Sequence, residues 1–203
     1  KQIEAKHMGI WDKLFGKKTK SVSDKSPYLP FEEIPVDIKF AETFTNKGGH
    51  FLFCESIEQI SLNLDAICLE NQWEKKHILS LNGVVADQFK LTSIRETSGD
   101  LKVYQAAVIY CEYMISNTGK FLLSEHQIKH FNLTDLPKTV IIIAKTNQIV
   151  RDVSQGMSSI KNKYKKTIPT NITSLEPKME DDAEKAFSES ETSAKNIYLL
   201  LED

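Results

Sequence analysis

The sequence predicts an α/β domain built on a mainly parallel sheet flanked by helices. Segments with helical spacing alternate with short apolar segments from residue 36 onward, which is the order typical of this class. The run Val140–Ala144 (VIIIA) is continuously apolar and rich in β-branched residues, as expected of a strand buried on both faces of a parallel sheet. With 203 residues, the chain can form one domain with a substantial core, whereas two domains would be cramped.

Local signals predict the elements of the first half. The helix Val36–Lys47 has apolar residues at helical spacing and ends at Gly48-Gly49, a common signal for a helix C-terminus. After the short strand His50–Cys54, Ser56 and Gln59 form a capping box for a helix whose apolar side chains share one face. The remaining elements of this half are a strand at His77–Leu81 and a helix at Gly83–Phe89.

The second half contains most of the predicted strands. A hairpin is expected where Gly119 interrupts an apolar run, because glycine adopts the positive φ of a tight turn without steric cost. The predicted elements are, in chain order, strand segments at Leu101–Tyr110, Tyr113–Ile115, Phe121–Ser124 and Val140–Ala144, a helix at Gln148–Tyr164, and strands at Asn171–Leu175 and Asn196–Leu201.

The domain boundaries follow from composition. Residues 1–7, which precede Met8, are interpreted as a leader left by cloning. Residues 8–35 are predicted to be a flexible N-terminal arm and linker, with a short amphipathic anchor at Ile10–Phe15 as the alternative. Residues 36–203 form the single predicted domain, in which residues 176–195 are an acidic, polar loop.

The composition excludes several classes of protein. No apolar run reaches the roughly 18 residues of a membrane span, and the start of the chain lacks the apolar core of a signal peptide, so we expect a cytoplasmic protein. The formal charge of −2 gives no indication of nucleic-acid binding. The three cysteines are widely separated, which predicts buried, reduced thiols and excludes an iron–sulfur cluster held by this chain alone. The phosphate-binding motifs GxGxxG and GxxxxGK(S/T) are absent, and no cofactor is predicted.

The best candidate site is the hairpin turn within the segment Cys111–Ser124. Between apolar, β-prone flanks lie Asn117, Thr118, Gly119 and Lys120. A turn of this kind at a sheet edge is expected to present backbone N–H groups and short polar side chains to a small anionic ligand. Glu112 is the acid nearest to the turn and the candidate catalytic residue.

Three other groups of residues are better explained by structure than by chemistry. His126 and His130 have the spacing of metal ligands, but Gln127 stands where a zinc protease motif has Glu, and we predict no metal site. Cys111 adjoins an apolar strand and is predicted to be a core thiol rather than a nucleophile. The cations at the end of the long helix complement its C-terminus, with a phosphate or nucleic-acid patch as the alternative. These cations are Lys161, Lys163, Lys165 and Lys166.

Several segments follow one another in a characteristic order and spacing. They are the helix end Asn46–Gly49 with the strand His50–Cys54, Met114–Ser124 (MISNTGKFLLS), Leu136–Asp152 (LPKTVIIIAKTNQIVRD), Ile168–Thr173 (IPTNIT) and Lys195–Leu201. Together they resemble the LUD domain of the lactate utilization protein family, and most closely its short, stand-alone form, lactate utilization protein C. The resemblance covers residues 36–203.

The resemblance implies a fold related to the coenzyme A transferases and the sugar-phosphate isomerases. It also implies membership of a multi-subunit system that oxidises L-lactate to pyruvate. In that system other subunits of the family carry the cysteine-rich iron–sulfur motifs, so these subunits are the expected partners. The lack of such motifs in this chain agrees with the stand-alone subunit.

The chain departs from the family pattern at two places. At the turn the family typically has Ala-Glu-Thr-Gly followed by Thr or Ser, whereas this chain has Ser116, Asn117, Thr118, Gly119 and Lys120. Further on, an Asp-Ile of the family corresponds to Asn171-Ile172. An amide hydrogen-bonds a ligand but cannot act as a nucleophile or general base. We therefore predict that the turn and Asn171 bind a ligand without catalysing a reaction.

Three functions are consistent with these observations. The first is a non-catalytic, ligand-binding subunit of a lactate-oxidising system. The second is a small enzyme acting on an acyl-coenzyme A or a phosphosugar, with Glu112 as base or nucleophile. In that enzyme Thr118 and the Gly119 N–H would bind the anion, and Lys120 would be a charge partner. The third function is a non-catalytic scaffold in which the turn has no ligand.

Overall fold

The computed structural model describes residues 34–97, 99–178 and 194–203. The helices are α1 (Val36–Asn46), α2 (Ile57–Glu70), α3 (Gly83–Phe89), α4 (Glu125–Ile128) and α5 (Val153–Tyr164). The strands are β1 (His50–Cys54), β2 (Ile78–Ser80), β3 (Thr92–Ser93), β4 (Ala106–Tyr110), β5 (Tyr113–Ile115), β6 (Lys120–Ser124), β7 (Thr139–Lys145), β8 (Ile149–Val150), β9 (Ile172–Leu175) and β10 (Asn196–Glu202). The predicted leader, the Ile10–Phe15 segment and residues 179–193 of the acidic loop lie outside the described residues.

Six strands form a parallel sheet in the order β1-β10-β7-β4-β2-β3. Every pair in it is parallel, and β7 lies between β10 and β4 with all of its residues paired on the β10 side. This arrangement, with helices against the sheet, confirms the predicted α/β class with a mainly parallel sheet.

Both faces of this sheet are covered, which explains the continuous apolar run of β7. Ile141 and Ile143 pack on one face against the apolar sides of α2 and α3. Val140 and Ile142 point to the opposite face, where they join a cluster that includes Phe40 and Phe44 of α1. Because successive side chains of a strand alternate between faces, a strand covered on both sides needs apolar residues at every position.

A second sheet has four strands in the order β8-β5-β6-β9. It lies on the same side of the parallel sheet as α1. Its inner side chains, among them Met114 and Phe121, join the core shared with α1 and the parallel sheet. Its outer side chains, among them Ile115 and Leu122, pack on Ile160 of α5. The predicted hairpin is confirmed as β5 and β6, which pair antiparallel, and the structure adds that it belongs to a separate sheet.

Two predicted boundaries were wrong. The segment Leu101–Tyr110 is a strand only from Ala106, and it starts with a short 3-10 turn at Leu101–Val103. The helix predicted from Gln148 begins at Val153, because the Asp152 carboxylate accepts a hydrogen bond from the Gln155 N–H and caps the helix there. The residues before that cap form β8, which pairs with β5.

Candidate functional site

The predicted turn joins β5 to β6 and packs tightly against α1. Gly119 has a φ of +64°, and a Cβ atom at this position would lie 3.0 Å from the backbone N and Cα of Phe44. Only glycine combines the left-handed backbone conformation with such a close approach at low cost. The glycine is therefore explained by the packing of the hairpin on the helix.

The backbone N–H groups of the turn all donate to carbonyls of the fold. Ser116 N donates to Val150 O at 2.8 Å and Asn117 N to Arg151 O at 3.0 Å. The N–H groups of Thr118 and Gly119 both donate to Ile115 O. A ligand at the turn would thus meet side chains rather than the backbone donors that the sequence predicts for an anion.

Two of the turn's side chains are held by exposed cation contacts. The Asn117 Oδ1 atom accepts a hydrogen bond from Lys39 Nζ at 2.7 Å. The Lys120 Nζ atom lies 2.7 Å from Glu176 Oε2, in an ion pair whose side chains are about one-third exposed. A partly exposed ion pair such as that of Lys120 with Glu176 is weak, so a ligand can exchange with Glu176.

Two hydroxyl groups of the turn differ from these side chains. Ser116 Oγ and Thr118 Oγ1 are buried and have no hydrogen-bond partner among the residues that the structure describes. Buried polar groups in folded proteins nearly always have a partner, and ordered water often supplies it. The two hydroxyls are therefore the part of the turn with unused hydrogen-bonding capacity.

Glu112 lies at the other end of the small sheet, just before β5, and is 1% exposed. Its carboxylate accepts hydrogen bonds from four side chains, two at the start of α4 and two at the end of α5. These are Lys163 Nζ to Oε2 at 2.8 Å, and Tyr164 OH at 2.7 Å, Ser124 Oγ at 2.8 Å and Gln127 Nε2 at 2.9 Å, all three to Oε1. We call these five residues the Glu112 cluster.

The surroundings of Glu112 keep its carboxylate ionised. Burial alone would raise its pKa, but the hydrogen bonds from Lys163 and three neutral donors outweigh burial and hold the pKa below its ordinary value. For Lys163, burial favours the neutral amine, yet the contact with Glu112 prevails and raises the pKa of that amine. A buried carboxylate with a lowered pKa and four partners is a weak base, and it is shielded from a substrate.

The predicted ligand-binding residues do not form one site. Asn171 precedes β9, whose Ile172 pairs with Ser124 at the end of β6. The turn lies at the opposite end of that strand, which is 5 residues long, so Asn171 and Lys120 are separated by roughly 15 Å. Asn171 is nearer to the Glu112 cluster than to the turn.

The two histidines of the metal-spaced pair have separate environments. The helix α4 ends at Ile128, and Lys129 follows with a φ of +59°, so His126 and His130 do not share a helix face. The His126 ring instead stacks on Tyr164 at a centroid distance of 4.9 Å. Among the described residues, no group of three or more histidine, cysteine or acidic side chains is placed to hold a metal ion.

The three cysteines are buried in different parts of the core. Cys54 ends β1, Cys68 lies in α2 and Cys111 follows β4, and all three are free thiols. Burial raises the pKa of each thiol, which keeps it protonated and unreactive at neutral pH. The prediction of Cys111 as a core thiol is confirmed.

Sequence reasoning identified Glu112 but missed its partners. In the structure Ser124 and Gln127 form the capping box that starts α4, and this pattern is not among the predictions from the sequence. The place of Lys163 at the C-terminal end of a helix explains it from the sequence alone, whereas its contact with Glu112 depends on the tertiary structure. A lone acid between two apolar strands is the signal that could have prompted a search for a cation.

The chain matches the profile of a known protein family. The LUD domain profile matches residues 38–201, which is most of the chain. The chain belongs to the LUD-domain family. Within this LUD domain the profile spans both sheets, the turn and the Glu112 cluster.

Among solved structures, a DUF162 family protein from Deinococcus radiodurans is similar to this LUD domain. The TM-score is 0.61 at 14% sequence identity, and the match covers 86% of this chain and 100% of that chain. At such an identity the likeness concerns the fold alone. No curated protein matches the chain at a significant level. None of the helices that the described residues of the LUD domain form is long and apolar enough to cross a membrane.

Proposed function

We propose that this chain is a subunit of a system that oxidises L-lactate to pyruvate, in which it binds a small anionic ligand and partner subunits carry the iron–sulfur clusters. The observation that carries the proposal is the LUD-domain match over residues 38–201. The cysteines support the assignment of the iron–sulfur clusters to other subunits. Cys54, Cys68 and Cys111 are buried in separate elements and cannot together hold a cluster.

The side chains of the turn favour a carboxylate as the ligand. Lys120 already binds one carboxylate, that of Glu176, in a partly exposed ion pair. A small carboxylate can take the place of Glu176 at little cost, and the exposed Asn117 amide would supply a hydrogen bond beside it. Asn171 is too far from Lys120 to contact the same small ligand.

Growth of the native organism tests the proposed role. Deleting the gene should prevent growth on L-lactate while leaving growth on pyruvate unchanged, since pyruvate enters metabolism after the proposed step. Complementation with the wild-type gene should restore growth on lactate. Normal growth of the deletion strain on lactate would contradict the proposal.

A matched pair of variants connects this role to the turn. Lys120→Gln should fail to restore growth on lactate, because it removes the cation that binds the carboxylate. The control is Lys166→Gln, which removes an equal charge at an exposed position after α5. If both variants restore growth equally, the turn is not the ligand site.

Purification tests the partners. An affinity-tagged chain isolated from cells grown on lactate should bring with it a protein with the visible absorption of an iron–sulfur cluster. Suppose that the deletion strain cannot use lactate but the tagged chain is isolated without any iron–sulfur partner. The chain would then be needed for lactate use without being a subunit of the proposed complex.

A further inference from the structure

The helix α2 has a second apolar surface, on the side that faces away from the core. Its core side carries Ile60, Leu64 and Ile67, which pack against the parallel sheet. On the opposite side Leu62 and Leu69 are 67% and 82% exposed. Single exposed leucines are common on folded proteins. These two, however, are two helical turns apart and therefore lie in one row.

This row has the spacing of a contact between helices. Ala66, which is also exposed, lies between Leu62 and Leu69, so the residues of the row follow one another at intervals of four and three. Alternation of these two intervals is the heptad pattern by which one helix packs along another. We call Leu62, Ala66 and Leu69 the α2 stripe.

Acidic side chains accompany the α2 stripe. Glu58, Asp65 and Glu70 are exposed on α2, and the helix contains no lysine or arginine. Asp65 forms an ion pair with Lys75, which follows the helix, and Glu58 and Glu70 lie in the first and last turns. Because complementary charges favour a contact and like charges oppose it, a partner for the stripe should carry cations beside its apolar side chains.

The chain itself contains a segment with this combination. Residues 10–20 precede the domain and lie outside the residues that the structure describes. In the sequence, four apolar residues with helical spacing are accompanied by four lysines, and Asp12 is the one acid of the segment. The apolar residues are Ile10, Trp11, Leu14 and Phe15, and the cations are Lys13, Lys17, Lys18 and Lys20.

The place where the described chain begins puts this segment within reach of α2. Three residues separate α1 from β1, the two elements pack together, and each is roughly 16 Å long. The start of α1 therefore lies near the end of β1, where α2 begins. The two helices lie on opposite faces of the sheet, and β1 is its edge strand. Residues 21–35 can extend over about 50 Å, which is enough to pass this edge.

We propose that residues 10–20 bind to the α2 stripe of the same chain. Their apolar side chains pack on the leucines of the stripe, and their lysines lie beside Glu58 and Glu70. A second copy of the domain, placed stripe to stripe, would bring acids together, and the same acids would be repelled by an anionic membrane surface. The proposal is independent of the lactate role, because the stripe shares no residue with the turn or with the Glu112 cluster.

The fluorescence of Trp11 reports on this contact. The chain has two tryptophans, so Trp73→Phe leaves Trp11 as the sole emitter in the full chain, which is the parent protein for the tests. An indole that leaves water emits at shorter wavelength. The emission maximum of the parent should therefore lie at shorter wavelength than that of a synthetic peptide of residues 8–21.

Matched variants of the parent locate the contact. Leu62→Ser with Leu69→Ser should return the emission of Trp11 to that of the peptide. The control is Val84→Ser with Val103→Ser, which removes two apolar side chains that are each 74% exposed elsewhere on the domain, and it should leave the emission unchanged. Because all four positions are exposed, both double variants should fold, and circular dichroism verifies this.

Salt tests the acids. Raising the ionic strength screens exposed charges, so it should move the emission of the parent toward that of the peptide. Glu58→Gln with Glu70→Gln should make the emission less dependent on salt. Equal salt dependence of this variant and the parent would remove the two acids from the proposal.

The remaining outcomes distinguish other positions of the segment. The shift should be independent of protein concentration, because the segment and the stripe belong to one chain, and a shift that disappears on dilution would mean that the segment binds a second copy. A shift that the serine variants at Leu62 and Leu69 do not alter would exclude the stripe. A shift that appears only with vesicles containing phosphatidylserine would assign the segment to a membrane surface instead. An emission of the parent equal to that of the peptide, with or without vesicles, would overturn the proposal.

Discussion

The small sheet and the amino-terminal edge of the parallel sheet differ in the surroundings of their charged side chains. In the small sheet the buried Glu112 carboxylate has a cation and three neutral donors around it, and the turn's N–H groups all donate to carbonyls. At the amino-terminal edge, Lys102, Lys138, Lys178 and Lys195 line a cavity, which we call the lysine cavity. Groups with partners inside the fold contribute to stability, so removing the Glu112 carboxylate should cost more than removing charge from this edge of the sheet.

The largest effect should come from removing the buried anion of the first region. Glu112→Ala leaves Lys163 without its counter-ion and three donors without their acceptor. The Lys163 side chain is half-exposed and can turn to water, so the cost comes mainly from the three neutral donors that lose their acceptor, about 3 kcal/mol in total. Urea denaturation followed by circular dichroism should show a loss of this size in the free energy of unfolding.

The conservative variant Glu112→Gln separates charge from packing through pH. Because the pKa of Glu112 is lowered in the folded protein, its contribution to stability is present above the unfolded pKa and is lost as pH falls through the folded pKa. Stability of the wild type should therefore fall more steeply than that of Glu112→Gln on acidification below about pH 4.5. Parallel slopes would show that the carboxylate carries no such energy.

The same variant examines the alternative of a small enzyme. If Glu112 were the base or nucleophile acting on an acyl-coenzyme A or a phosphosugar, Glu112→Gln would abolish turnover of that substrate. Any turnover that the wild type shows and the variant retains would exclude Glu112 from that role.

A second large effect should come from the turn. Gly119→Ala forces a non-glycine residue to a φ of +64° and places its Cβ 3.0 Å from the backbone of Phe44. Left-handed strain together with a clash against helix backbone should cost about 2–3 kcal/mol. The midpoint of chemical denaturation measures the loss. An unchanged midpoint would show that the turn tolerates a side chain at this position.

A smaller effect of opposite sign is expected beneath the turn. Ser116→Ala removes a buried hydroxyl without a partner among the described residues, so the folded protein should gain about 1 kcal/mol. Thermal unfolding of Ser116→Ala beside Ser158→Ala, which alters an exposed serine of α5, isolates the effect of burial. A loss of stability specific to Ser116→Ala would reveal a bound water or ligand at this hydroxyl.

The smallest effect on stability should come from the lysine cavity. Replacing Lys138 and Lys178 by glutamine should leave the free energy of unfolding within about 0.5 kcal/mol of the wild type, with any change in the direction of higher stability because like charges are removed. A marked loss of stability would show that the side chains of these two lysines stabilise the fold. The two regions would then not differ in this respect.

Local patterns predicted most of the secondary structure. The capping serine at Ser56, the glycine after α1 and the apolar run of β7 are signals within a few residues, and the structure confirms the element that each predicts. The errors arose where local signals conflict. The apolar Ile149-Val150 pair fits a helix as well as a strand, and its pairing with β5 decided the outcome.

The α/β class and the hairpin could be read from periodicity and glycine placement, because these depend on the steric preferences of neighbouring residues. The membership of the hairpin in a second sheet, the partners of Glu112 and the lysine cavity could not. Lys163 lies 51 positions from Glu112, and the cavity draws residues from Trp73 to Asn196. Such meetings depend on how the sheets and helices pack, and tertiary structure alone brings together charges that are distant in the chain.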